Sequence, residues 1–170
     1  MRHYLLLLLF TLGAMNCWAG ERPKGRRAEA EYYVAVYARH YGLPLDFVRS
    51  IVEQESGWHS CAVSPKGAAG LMQIMPATAR WLGISNRCDL RQNVAGGVRY
   101  LAWLNRKFGG DLRLVAAAYY AGEHIIEKRG LSYHNQDVIA YVASVRAAYA
   151  RQRAAAGIAH TPIPRRRITQ

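Results

Sequence analysis

The sequence predicts a mainly α, single-domain protein, and three observations carry that prediction. Apolar residues recur at spacings of three and four along most of the chain, while period-two alternation is scarce. Glycine and proline cluster where those periodic stretches end. The length of 170 residues, 51% hydrophobic and 20% charged, suits one core with short appendages and is far from the signature of a disordered chain. Strands, if present, are minor.

Taken in order, a first helix is predicted over residues 28–40, stopped by Gly42. A second opens at Pro44, a favoured first-turn residue, and ends near Gly57. Two short helices are placed around residues 70–73 and 76–82. A longer helix spans residues 90–108 and stops at Gly109 and Gly110, after which Asp111 caps a helix reaching Tyr120 and ending at Gly122. The last helix covers residues 136–153, with Val138, Tyr141, Val142, Val145 and Tyr149 on its inward face.

The flanks differ from this body. Residues 1–19 have a basic start at Arg2, an apolar run over residues 4–12 and small residues near Ala19, the layout of a signal peptide. The run is shorter than the roughly 20 residues of a membrane span. Asn16 precedes Cys17, where a lipid-attachment cysteine wants a small residue, so cleavage after Ala19 is expected. The domain would then occupy residues 20–153, and residues 154–170, with Pro162, Pro164, Arg165, Arg166 and Arg167, would form a flexible basic tail. This layout predicts a periplasmic or secreted monomer with no integral membrane segment once the leader is removed.

Cleavage there leaves Cys61 and Cys88 in a compartment where disulfides persist. The two are either bridged or two unpaired buried thiols, and the bridge is the expectation. The formal charge of +12, from 23 Lys and Arg against 11 Asp and Glu, calls for an anionic partner such as nucleic acid, a membrane surface or a carboxylate-rich wall polymer. Export argues against nucleic acid. Neither a His-Glu-x-x-His pattern nor zinc-spaced Cys and His residues occur, and no phosphate-binding glycine loop follows a strand, so no metal and no cofactor are expected.

The informative residue is Glu55. Val48, Ile51, Val52 and Glu55 fall at i, i+3, i+4 and i+7 of the second helix, which sets a carboxyl on the core-facing stripe. Burial there disfavours the charged form and would keep the acid protonated near neutral pH. Glu53 projects about 200° away and is read as solvated. Spacing alone supports equally a plain helix-end carboxylate satisfied by an arginine or a backbone amide.

Three segments then carry a resemblance: ESGW at 55–58, AVSPKGAAGLMQIMP at 62–76 and AAYYAG at 117–122. In that order and spacing the chain resembles, over residues 41–149, the lytic transglycosylase domain of the soluble lytic transglycosylase and goose-type lysozyme superfamily. The resemblance implies a lysozyme-like α fold with a groove for peptidoglycan glycan strands, cleaving the β-1,4 bond between N-acetylmuramic acid and N-acetylglucosamine. It implies that Glu55 is the catalytic acid, that Ser64, Met72 and Gln73 line the groove near the cleaved bond, and that Tyr119 and Tyr141 face the site. Tyr120 stands where the family has asparagine, Glu123 where proline often follows, and Asp137 where glutamate is usual. A tyrosine hydroxyl has a longer reach and different geometry from an amide, so the contact made at Tyr120 departs from the family's.

Glycosidases ordinarily flank the bond with two carboxylates, yet no other acid is placed by pattern opposite Glu55. One carboxyl suffices if it protonates the leaving oxygen and then takes the proton of the muramic acid 6-hydroxyl as that oxygen attacks C1, giving a 1,6-anhydro product. A goose-type lysozyme would use water instead, and a binding module would have lost activity through Tyr120. Of Trp58, Trp81, Trp103, Tyr119 and Tyr133, one or two are expected in the groove, the rest in the core. The chain's small size resembles the specialised transglycosylases that open the wall for secretion, conjugation or pilus machines.

Overall fold

The structure, a computed structural model, describes residues 25–159, and no sheet occurs among them. Seven α-helices follow one another: α1 (Arg26–His40), α2 (Leu45–Ser56), α3 (Pro76–Leu82), α4 (Leu90–Lys107), α5 (Leu112–Ala121), α6 (Glu123–Arg129) and α7 (Gln136–Ala159). A 3-10 turn, Gly130–Ser132, joins the last two. The proposed leader, with Cys17, lies outside the described residues, as does the tail from residue 160 onward. None of the described helices is long and apolar enough to cross a membrane.

Local chemistry accounts for most of the boundaries. Pro44 precedes α2, whose last turn is closed by Gly57 in the left-handed conformation at φ 56°. Asp89 accepts the Gln92 amide at the start of α4, and Asp111 accepts the Arg113 amide at the start of α5. Asn135 does the same for α7, taking the Asp137 and Val138 amides at 3.0 and 3.1 Å.

The core is one cluster. Phe47, Val48, Ile51 and Val52 of α2 meet α1 and α7, while Val94, Val98, Leu101 and Leu104 of α4 pack against α1 and α5. The inward face of α7 contributes Val138, Tyr141 and Val145, and Tyr149 meets the Phe47 ring edge-on at 6.2 Å. Burying a Val, Leu or Phe side chain contributes about 1.5–3 kcal/mol each, which is what fixes these short helices in place.

Two predicted elements differ. The short helix around residues 70–73 does not form. Gly70 and Gln73 both have positive φ, and residues 62–75 instead make turns joined by isolated antiparallel bridges, Val63 with Ala69 and Ala69 with Ile74. The last helix continues past residue 153 to Ala159, because Ala154, Ala155 and Ala156 are strong helix formers. The tail therefore does not begin as irregular chain at residue 154. Helix α6 had no place in the sequence reading, since its seven residues are too few to display a period.

Candidate active site

Glu55 occupies the last turn of α2, just before the chain reverses through Gly57 and Trp58. Trp58 also has positive φ, its amide donates to the Ser56 hydroxyl at 3.1 Å, and the Arg27 guanidinium covers its ring at 3.8 Å. This corner is fixed from both sides, so the Glu55 carboxyl leaves the helix in a set direction. It opens into a cleft of about 530 Å³ that Ser64, Lys66, Gln73, Tyr119, Tyr120 and Asp137 also line.

One bond defines the carboxyl. The Tyr141 hydroxyl, from α7, donates to Glu55 Oε1 at 2.5 Å. Burial raises Glu55 from the usual carboxyl range to about 7, the dominant effect, while the Tyr141 bond pulls in the opposite direction. A group poised there exists in both protonation states at neutral pH and can give a proton in one step and take one in the next. Glu53, two residues away, is instead paired at the surface with Arg151 at 3.1 Å. The stripe argument thus separates the two glutamates as expected.

The remaining site residues are held by backbone contacts. Ser64 Oγ accepts the Ala68 amide at 3.0 Å. Gln73, at φ 46°, commits its Nε2 to the carbonyls of Ala62 and Gly70 at 2.9 Å each, so what it offers a ligand is its Oε1. A left-handed conformation costs a non-glycine residue on the order of 1–2 kcal/mol, and it is these two bonds that hold it. The Tyr119 hydroxyl donates to the Met72 carbonyl at 2.8 Å, joining α5 to the loop beneath the cleft. Burial and the nearby Glu55 charge keep that phenol well above its usual titration range.

Met72 is a correction. Its side chain does not line the cleft: it is completely buried, packed onto Gly97 of α4, where a Cβ would meet its sulfur. Only its backbone carbonyl takes part, through Tyr119. Tyr120 is 44% exposed and stacks on Tyr141, ring centroids 4.6 Å apart and planes at 28°. Its ring lines the cleft with one face covered by Tyr141, an arrangement that an asparagine amide would not make.

The sequence reading notes Asp137 only as a departure from the usual glutamate and does not place it in the site; it stands in the first turn of α7, one turn before Tyr141, and lines the same cleft. Its spacing of i and i+4 to Tyr141 carried the signal once Tyr141 was placed in the site. Lys66, Asn135 and Tyr133 were likewise not read as a group. Of the five aromatics, Tyr119 and Tyr133 line this cleft, Trp81 and Trp103 line a neighbouring one, and Trp58 is buried. Cys61 and Cys88 are joined in a disulfide, with Cα atoms 4.8 Å apart.

A helical domain in which a loop of turns folds over a helix-end glutamate defines the lysozyme-like fold class. The chain belongs to the transglycosylase SLT domain family, whose model matches residues 32–142. It is 35% identical over 102 residues to membrane-bound lytic murein transglycosylase F 1 of Alkalilimnicola ehrlichii, covering 56% of this chain and 21% of that protein. Against the soluble lytic murein transglycosylase of Salmonella typhimurium it is 32% identical over 120 residues, covering 64% and 19%. Among solved structures, the 70-kDa soluble lytic transglycosylase of Escherichia coli superposes with a TM-score of 0.65 at 27% identity, over 74% of this chain and 24% of that one. The chain thus spans about a fifth of the length of the curated relatives it matches.

Proposed function

We propose that the chain is a lytic transglycosylase acting on the glycan strands of peptidoglycan, with Glu55 as acid and then base. The observation that carries the reading is the buried Glu55 carboxyl, raised to about 7 and held by Tyr141 at the wall of an open cleft. Family membership and the names of the relatives support the substrate class.

In the proposed cycle the protonated Glu55 donates to the glycosidic oxygen as the C1–O bond breaks. The resulting carboxylate removes the proton from the muramoyl 6-hydroxyl while O6 bonds to C1. Glu55 ends as it began, no water is consumed, and the products are a free 4-hydroxyl and a 1,6-anhydro end. Ser64, the Gln73 Oε1 and Tyr119 are proposed to contact the sugars on either side, and Tyr120 to offer a stacking face. The Cys61–Cys88 bridge and a leader ending at residue 19 fit a periplasmic or secreted monomer. Residues 20–153 are the proposed domain, although α7 itself continues to Ala159. Local wall opening for a secretion, conjugation or pilus machine is the finer form of this reading. Its support is the resemblance to small members of that kind, and its test is whether losing the enzyme blocks assembly of such a machine while growth continues.

The second reading is hydrolysis. Asp137 in the cleft supplies a second carboxyl that can activate water in place of the 6-hydroxyl. Purified peptidoglycan incubated with the protein and with Glu55→Gln separates the two by mass spectrometry. Fragments one water lighter than hydrolytic products, absent with the variant, are expected. Reducing ends would assign the enzyme as a lysozyme, and no products alongside retained glycan binding would make it a binding module.

A further inference from the structure

A groove between α5 and α7 has no part in the chemistry above. Its first hollow, about 300 Å³, is floored by Ala117, Ile126, Val138 and Val142. A second, about 190 Å³, is floored by Phe47, Ala116, Val145 and Tyr149. Val142 lines both, and so do Arg113 of α5 and Arg146 of α7, so the hollows adjoin and a guanidinium stands on each wall where they meet. Ile139, at the edge of the first, is 46% exposed. Open, contiguous apolar surface framed by charge is the mark of a contact site.

The charge around the groove is mostly of one sign. Among the described residues no carboxylate lines either hollow. Arg113 is paired with Asp111 at 2.7 Å, whereas Arg146 has no ion pair among the described residues. Arg153 adds a third guanidinium over the Tyr149 ring, 5.9 Å from its centroid. The complementary occupant brings apolar side chains and carboxylates together. This chain is a poor source of one: residues 160–170 hold three arginines and no acid, and a second copy at +12 would be repelled.

The walls select a helix. The α7 residues lining the two hollows are offset by one turn, 138–146 for the first and 142–149 for the second. At a rise of about 1.5 Å per residue the hollows lie about 6 Å apart, the spacing of side chains at i and i+4 on a docked helix. An extended segment would need an open sheet edge for its backbone groups, and both walls are helices bonded within themselves. Sugar hydroxyls would be left largely unpaired on so apolar a floor.

We propose that the α5–α7 groove docks an acidic amphipathic helix of a partner protein, with apolar side chains in the two hollows and carboxylates on Arg113, Arg146 and Arg153. Tyr133 and Val138 line both this groove and the catalytic cleft, so such a partner would hold the enzyme with its cleft alongside. The probe is a fluorescent peptide of about 18 residues, roughly five helical turns, with leucine along one face, glutamate flanking it and alanine elsewhere. Its binding to the whole protein is read by anisotropy, beside versions with lysine for glutamate or serine for leucine. Wild type should bind the glutamate–leucine peptide at least about tenfold tighter than either. Arg146→Glu should weaken that binding about tenfold and strengthen the lysine version. Arg80→Glu, the same change of charge at an exposed position of α3, should leave both within about twofold. Circular dichroism checks folding, which neither exposed arginine governs. Equal losses in the two variants, or equal binding of the serine version, would reduce the effect to bulk charge and overturn the proposal. No binding of the glutamate–leucine peptide overturns it too, and Arg146-dependent displacement of the peptide by phosphatidylglycerol vesicles would give the groove to a membrane surface instead. Cleavage of peptidoglycan is measured apart, and its absence would overturn the catalytic reading while leaving the docking result standing.

Discussion

Glu55 ties both activity and stability to pH, and both fall as its proton is lost. Its native value lies near 7 against an ordinary 4.5, so between those values the folded protein holds a proton that the unfolded chain has lost. Stability therefore falls as pH rises through this window, and the cost is fully present above it, on the order of 3 kcal/mol. Glu55→Gln removes the charge. The variant should be inactive, yet at pH 8 it should melt higher than wild type, with the difference shrinking toward pH 4, as thermal scans across pH would show. Equal melting temperatures throughout would mean that the carboxyl is not buried as described. Tyr141 donates to the charged form and lowers Glu55, so Tyr141→Phe should move the alkaline limb of activity upward. It should also lower the plateau roughly ten- to hundredfold through lost positioning; a lower plateau with an unmoved limb would reduce Tyr141 to packing. The stripe Val48, Ile51, Val52, Glu55 made the acid legible in sequence. The Tyr141 bond spans 86 positions, and its place was legible only through the resemblance, not through any local period.

At the scale of elements, the loop that carries Ser64 and Gln73 has too little regular structure to hold itself. The segment over residues 87–93 clamps it at three points. Cys88 is bridged to Cys61, Arg87 donates to the carbonyls of Gly67 and Ile74 at 2.5 and 3.0 Å, and Asn93 reaches from α4. Asn93 is fully buried and satisfies three backbone groups: the Met72 amide at 2.8 Å and the carbonyls of Ala69 and Arg87 at 3.0 and 2.8 Å. Gly70 lets the chains close, since a Cβ there would strike the Asn93 amide and the Arg87 carbonyl. Removing Asn93 strands buried polar groups at about 1–3 kcal/mol each. Asn93→Ala should therefore cost roughly 3 kcal/mol or more, against about 3–4 kcal/mol for loss of the bridge in the chain-entropy model. Denaturant melts of the variant and of the reduced protein check both, and free Cys61 and Cys88 thiols in the denatured, unreduced protein would remove the bridge. Here the sequence misled: AAGLMQIMP has helical apolar spacing, but Leu71, Met72 and Ile74 are buried by a loop pressed onto α4, and periodicity cannot tell the two apart.

At the scale of the whole molecule, the excess of positive charge has no role in the proposed proton transfers and predicts an electrostatic contribution to wall binding. A chain at +12 facing a polymer rich in carboxylates gains attraction that salt screens, because the Debye length falls from about 10 Å at 0.1 M to about 3 Å at 1 M. The contacts proposed for the cleft with neutral sugars would be short-ranged, on the order of 3–4 Å, and so far less screened. Binding of Glu55→Gln to isolated cell-wall sacculi should therefore weaken steeply as sodium chloride rises through that range, while its affinity for the neutral hexamer of β-1,4-linked N-acetylglucosamine stays level. A protein ending at Ala159 lacks Arg165, Arg166 and Arg167 and should keep the hexamer affinity while losing part of the salt-sensitive component. Pelleting with sacculi across the salt series, beside calorimetry with the hexamer, measures both. Salt-insensitive pelleting would mean that the cleft alone holds the wall and that the basic surface serves another partner. An unchanged salt response after truncation would assign retention to the helical body.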